Sequence, residues 1–130
     1  MAHDADTDRS MLVTGGAGFI GSHLAHSFAD PTAVRVLDSF TTGTPNNVPA
    51  DATVIEGDIR DDEVIDQALE GIDVLFHEAA LVSVAQSLET PVESHTINID
   101  ATLGLLEAAR QHDVRVVLAS SAAIYGRPDT

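Results

Sequence analysis

The sequence contains no cysteine and no lysine. Without cysteine there can be no disulfide and no thiolate, either as a nucleophile or as a metal ligand. Without lysine, all six basic residues are arginine: Arg9, Arg35, Arg60, Arg110, Arg115 and Arg127. They face 21 acids, for a net charge of −15. A surface of that sign repels a phosphate backbone, which excludes nucleic acid as a partner, and it is disfavoured at anionic membranes. Long apolar runs are also missing: none approaches the ~18 residues of a membrane span. Residues 1–10 hold no apolar block of the kind a secretion signal needs and are expected to form a disordered tail. The cytoplasm is the expected compartment. An acidic surface this unbalanced repels itself in dilute salt. At molar salt the screening length falls to ~3 Å and the repulsion largely vanishes. With lysine absent, the composition points to a salt-loving (halophilic) organism.

What is present suits one globular domain: 130 residues, 44% of them hydrophobic. Short apolar runs alternate with helical stretches. Strands are expected at 11–14, 34–37, 53–56, 74–77 and 114–119, and helices at 19–29, 61–69 and 91–111. Ile20, Leu24 and Phe28 share one face of the first helix, and Asp30-Pro31 ends it. Residues 39–51, rich in Thr, Pro, Asn and Gly, read as a loop with no helix, so one crossover is irregular. Strand–helix alternation with nearly continuous apolar strands predicts an α/β fold, a doubly wound parallel sheet of the Rossmann type in the order 3-2-1-4-5.

The motif that carries chemistry sits where the first strand becomes the first helix: Thr14-Gly15-Gly16-Ala17-Gly18-Phe19-Ile20-Gly21. It fits both Gly16-x-Gly18-x-x-Gly21 and Gly15-x-x-Gly18-x-x-Gly21. Either register puts glycines where a turn is tight and a backbone approaches a pyrophosphate, with the free amides of the helix N-terminus facing the phosphates. Asp38 ends the second strand, 20 residues after Gly18. An acid there accepts hydrogen bonds from the adenosine ribose and repels a 2′-phosphate, which favours NAD over NADP. Asp58 and Ile59 follow the third strand. The carboxylate could meet the adenine amine with Ile59 against the ring, or Asp58 could cap the next helix. The six histidines lack metal-ligand spacing and read as surface or capping groups, so no metal site is expected.

The segments TGGAGFIGSHL, LDSFTTG, EGDIRD, HEAALVSVAQSLETP, INIDATLGLLEAAR and ASSAAIYG, in that order over residues 11–126, resemble an extended short-chain dehydrogenase/reductase. Within that NAD-dependent epimerase/dehydratase family the pattern is most similar to the UDP-glucose 4-epimerase group. The resemblance implies that Phe19 and Ile20 offer backbone amides to the pyrophosphate, and that Ser39, Thr42 and Gly43 surround the adenosine ribose. It places His77, Ala79 and Ala80 beside the nicotinamide half of NAD, with Val82 and Ser83 opening the loop toward the sugar. Asn98 matches the asparagine of the family's N-V-x-G-T segment, where Ala101 replaces the glycine. Ser121 matches the catalytic serine, which would bond the reacting sugar hydroxyl and help pass its proton.

The family's base is the tyrosine of a Tyr-x-x-x-Lys motif, ~25 residues after the serine. The chain ends nine residues after Ser121, has no lysine, and its only tyrosine, Tyr125, sits in the IYG turn. The resemblance therefore implies an incomplete NAD-binding domain over residues 11–130. The substrate region and sixth strand would be absent, an apolar edge at Val114, Val116 and Leu118 left open, and the chain inactive alone. The activity implied for the whole enzyme is 4-epimerisation of a nucleotide sugar by C4 oxidation and hydride return. The alternatives are a dehydratase, decarboxylase or reductase of the same family, or a non-catalytic dinucleotide-binding module. A homodimer through the long helix is implied as well, with Leu103, Leu106 and Ala109 able to serve that face or to cover the sheet.

Overall fold

A computed structural model describes residues 9–28, 30–41, 43–79 and 88–118. Five parallel strands form one sheet: β1 Met11–Thr14, β2 Val34–Asp38, β3 Thr53–Glu56, β4 Val74–His77 and β5 Arg115–Leu118. Their order is β3-β2-β1-β4-β5, as the sequence predicts. β1 is central, with Leu12 opposite Arg35 on one side and Leu75 on the other.

Alternation along each strand sends side chains to two different cores. On one face Leu12, Leu37 and Leu75 pack with Ile65, Ala68 and Leu69 of helix α2 (Asp62–Leu69). Ala101, Leu105, Ala108 and Ala109 of the long helix complete that cluster. On the other face Met11, Val13, Val34, Val36 and Val74 pack with Ala25 of helix α1 (Phe19–Ser27). The rings of Phe28 and Phe76 close the rim of that layer at 5.4 Å between centroids. The sheet is thus covered on both faces, which is why its strands read as continuous apolar runs.

Turn chemistry sets the element ends. α1 stops at Ser27, and Pro31 then opens a short 3-10 turn, Pro31–Ala33, capped by the Asp30 carboxylate on the Thr32 amide. Asp61 caps α2 by accepting the Glu63 amide. Asp58, which the sequence offered as a cap, instead turns onto the Arg60 amide and guanidinium. The Arg35 guanidinium reaches from β2 to the carbonyls of Ala68 (2.8 Å) and Glu70 (2.7 Å). A cation there satisfies carbonyls that the end of α2 leaves unpaired.

The long helix differs from its expected form. It runs as α3 (Pro91–His95), a widened π-helical turn (Thr96–Asp100) and α4 (Ala101–Gln111). Residues 39–51 contain one 3-10 turn, Pro45–Asn47, where only loop was expected. β5 shows Val117 and Leu118 exposed, but Val114, expected at an open edge, is buried in the core. Ala109 likewise covers the sheet and is not on the outer face of the helix.

Leu12 is fully buried on the central strand. Leu12→Ala is expected to lower unfolding free energy by about 3 kcal/mol, combining lost transfer energy and the cavity left behind. Urea titration checks this; a loss below about 1 kcal/mol would contradict the core assignment.

Candidate functional site

The site forms where β1, β2 and β4 end together and α1 begins. Gly15 has a φ of +70°, and a Cβ there would lie 2.9 Å from the Ala79 backbone. A Cβ on Gly21 would lie 2.2 Å from the Gly15 carbonyl oxygen. Both glycines are therefore required by the turn itself: the first for its left-handed backbone, the second so that α1 can sit against it. The turn is pinned by Gly15 N–H to the Leu37 carbonyl (2.8 Å) and Gly18 N–H to the Gly15 carbonyl (3.1 Å).

The amides of Phe19, Ile20 and Gly21 open α1 and find no acceptor among the described residues. A helix start always leaves such donors over, and with the helix dipole they form a seat for an anion. Acidic side chains are absent from this first turn, so nothing there competes with an incoming anion. Phe19 and Ile20 themselves are 80% and 65% exposed.

Asp38 closes the other wall. One carboxylate oxygen accepts the Ala17 amide at 2.9 Å, and the other accepts the Phe40 amide at 2.8 Å. A carboxylate offers about four acceptor positions, so two remain for vicinal hydroxyls. Ser39 and Gly43 follow beside it, the Ser39 hydroxyl paired with Thr41 at 2.9 Å. Along the β3 rim Asp58 is held by Arg60, whose guanidinium hydrogen bonds draw its carboxyl below the usual range. Ile59 packs into the core, 8% exposed, and presents little surface to any ring.

His77 ends β4, but it is not the surface or capping group that the histidines were read as. Its ring is 5% exposed and turned into the protein. The Thr14 hydroxyl oxygen accepts the amides of Glu78 and Ala79, both at 3.1 Å. Its two lone pairs are then used, so its proton goes to His77 Nδ1, 2.7 Å away. The ring proton therefore sits on Nε2 and is donated to the Thr102 hydroxyl at 3.0 Å, which donates in turn to the Asn98 carbonyl at 2.9 Å. This chain ties the ends of β1 and β4 to the π-helical turn, a setting such turns often occupy near functional sites. Asn98 itself is half-buried, its amide 3.4 Å from the Ser94 hydroxyl. Thr42, Ala80 and Ser121 lie outside the described residues, as do Val82, Ser83 and Tyr125.

His23 and His26, close enough in sequence to meet, turn to separate carbonyls: Phe19 at 2.6 Å and Asn47 at 2.9 Å. No group of three metal-ligating side chains occurs among the described residues. No helix among them is long and apolar enough to cross a membrane.

A glycine turn with open amides, faced by a strand-end carboxylate, is the geometry of a dinucleotide seat. Residues 11–130 match the NAD dependent epimerase/dehydratase family. The chain belongs to that family. It is 42% identical over 123 residues to a UDP-glucose 4-epimerase of Corynebacterium glutamicum, a match covering 92% of this chain and 37% of that one. The solved UDP-glucose 4-epimerase of Thermus thermophilus, in complex with NAD, superposes with a TM-score of 0.76 at 41% identity, over 86% of this chain and 37% of the other. A UDP-N-acetylglucosamine 4-epimerase of Methanobrevibacter ruminantium, in complex with UDP-N-acetylmuramic acid, gives 0.84 at 34% identity, over 94% and 41%. The chain spans about two fifths of the length of these relatives.

Burial holds the His77 imidazole below its ordinary range. With the folded value depressed, the group's contribution to stability is complete above the unfolded value of about 6.5 and is lost as pH falls through the folded value. Glu78, raised by partial burial, acts in the opposite sense, so the comparison is made between variants. Between about pH 7.5 and about pH 5.5, wild-type protein should lose more stability in denaturant titrations than His77→Gln. Equal losses would show that the buried ring is not the group responsible.

Proposed function

We propose that these residues form the NAD-binding part of a nucleotide-sugar 4-epimerase of the UDP-glucose type. The observation that carries the reading is the turn between β1 and α1, with the open amides of Phe19 and Ile20 on one side and the Asp38 carboxylate on the other. The amides of Phe19, Ile20 and Gly21 hold the diphosphate, with Gly15 and Gly18 shaping the turn beneath it. Asp38, with Ser39, Thr42 and Gly43, takes the adenosine ribose and repels a 2′-phosphate. Asp58, paired with Arg60, borders the adenine, with Ile59 buried beneath it. His77 acts through its backbone and its hydrogen-bond chain, while Ala79 and Ala80 leave room for the nicotinamide half and Asn98 supports it across the π-helical turn.

NAD, when bound, supplies the acceptor for the C4 hydride of the sugar and returns it to the other face. Ser121 would hydrogen-bond the reacting sugar hydroxyl and help pass its proton to a base. The 130 residues contain no lysine and so no Tyr-x-x-x-Lys base; epimerisation by this chain alone is not expected. The second reading is a dehydratase, because the family spans epimerases and dehydratases.

Calorimetry tests the binding half of the proposal. NAD should bind, NADP at least about tenfold more weakly, and Asp38→Ala should weaken NAD about tenfold or more through loss of charge-assisted hydrogen bonds. Absence of heat with NAD, or equal affinity for NADP, would refute it.

The partner proposed is a second copy of the chain. Val92, Ile99, Leu103 and Leu106 are exposed along the long helix, as is Leu88 before it. A stripe of that size on a protein of charge −15 is a contact face rather than a solvated one. The acidic, lysine-free composition supports a cytoplasmic protein of a salt-loving organism. Light scattering in ~2 M salt should give a dimer, with Leu103→Asp monomeric and a melting temperature that falls when salt is removed. A monomeric wild type would argue against the helix pair.

A further inference from the structure

The irregular crossover after β2 reaches back to the glycine turn. Asn47 Nδ2 donates to the Ala17 carbonyl at 2.9 Å. The Ala17 amide, on the other side of the same residue, donates to Asp38. Ala17 is fully buried, and Asn47 reaches it from an exposed position. The Asn47 carbonyl accepts Nε2–H of His26 on α1 at 2.9 Å, so the clasp is anchored to the helix whose first turn it serves. Gly43 makes the approach possible: a Cβ there would lie 2.5 Å from the Ala17 carbonyl oxygen. Phe40, at a φ of +57°, turns the chain out of β2 toward this contact, its amide held by the second Asp38 oxygen.

We infer that Asn47 is a positioning residue for anion binding: with Asp38 it grips Ala17 from both sides and sets the turn before a diphosphate arrives. Two residues on, the amides of Phe19 and Ile20 take their direction from that turn. The inference rests on the dinucleotide reading above and extends it to a residue that never touches the ligand. A flexible turn would have to be ordered at the moment of binding, and pre-forming it removes that cost. An exposed side chain bonded to a buried carbonyl contributes little packing, so its value lies in the hydrogen bond.

Asn47→Leu keeps the side-chain size and removes the donor. Amide hydrogen exchange in the ligand-free chain reads the clasp directly: exchange at Ala17 and Gly18 should quicken at least about threefold, while Gly15, bonded to Leu37, is unchanged. Affinity for NAD and for ADP should fall together by about five- to tenfold, the share of one hydrogen bond. The melting temperature should shift by no more than about 3 °C. Asn47→His, which can still present an N–H, should recover part of the loss in exchange and in affinity. Unchanged exchange at Ala17, or affinity that falls only in step with melting temperature, would overturn the inference. If wild type binds neither NAD nor ADP, the dinucleotide reading fails, while the exchange experiment still decides the clasp.

Discussion

The site exists because three stretches of backbone meet with nothing between them. Gly15 lies against Ala79 of the segment after β4, and α1 lies against Gly15 through Gly21. Any side chain at either glycine would drive the helix start away from the sheet. The amides of Phe19 and Ile20 would then no longer share a wall with Asp38. Parallel strand order supplies the rest. With β1 at the centre, the ends of β2 and β4 flank its turn, and a carboxylate closing β2 falls beside the helix N-terminus with no long-range device to bring it there. The sheet fixes where the turn is; the glycines fix how close its neighbours come.

Much of this was legible from residue pattern. The five apolar runs, the glycine spacing and the acid at position 38 determine the sheet order and place the turn, because each is a local signal with one structural solution. The features that escaped depend on side chains meeting across the fold. Nothing in residues 39–51 announces that Asn47 reaches Ala17, since an asparagine in a Thr/Pro/Asn/Gly loop ordinarily serves its own turn. The buried ring of His77 is hidden for a similar reason. Its two hydroxyl partners, Thr14 and Thr102, lie on elements far apart in the chain. At Asp58 the cap reading fails for a local reason: Asp61 stands directly before α2 and takes the cap, while Asp58 pairs with Arg60 two residues on.

The long helix carries two duties that pull its sequence apart. Ala101, Leu105, Ala108 and Ala109 lie on the sheet, small enough to let the axis approach. Leu103 and Leu106 face outward. The π-helical turn Thr96–Asp100 adds residues to one turn and so rotates the face that precedes it against the face that follows. Val92 and Ile99 are exposed before and within that turn, while Thr102, just after it, meets the His77 ring.

Charge makes the same economy necessary at the turn. A dinucleotide diphosphate is an anion approaching a protein of net charge −15. In dilute salt the long-range field opposes it, and at molar salt that field is screened within ~3 Å. Neither condition supplies attraction from a distance, and the first turn of α1 has no basic side chain to add any. Binding must come from donors at contact: helix-start amides whose partial charge acts only over the first turn. Contact-range donors are useful only when their positions are set in advance. On the reading proposed above, a protein without lysine gains by setting its anion seat in advance, with Asp38 on one side of Ala17 and Asn47 on the other, rather than relying on a mobile cation to reach for the phosphate.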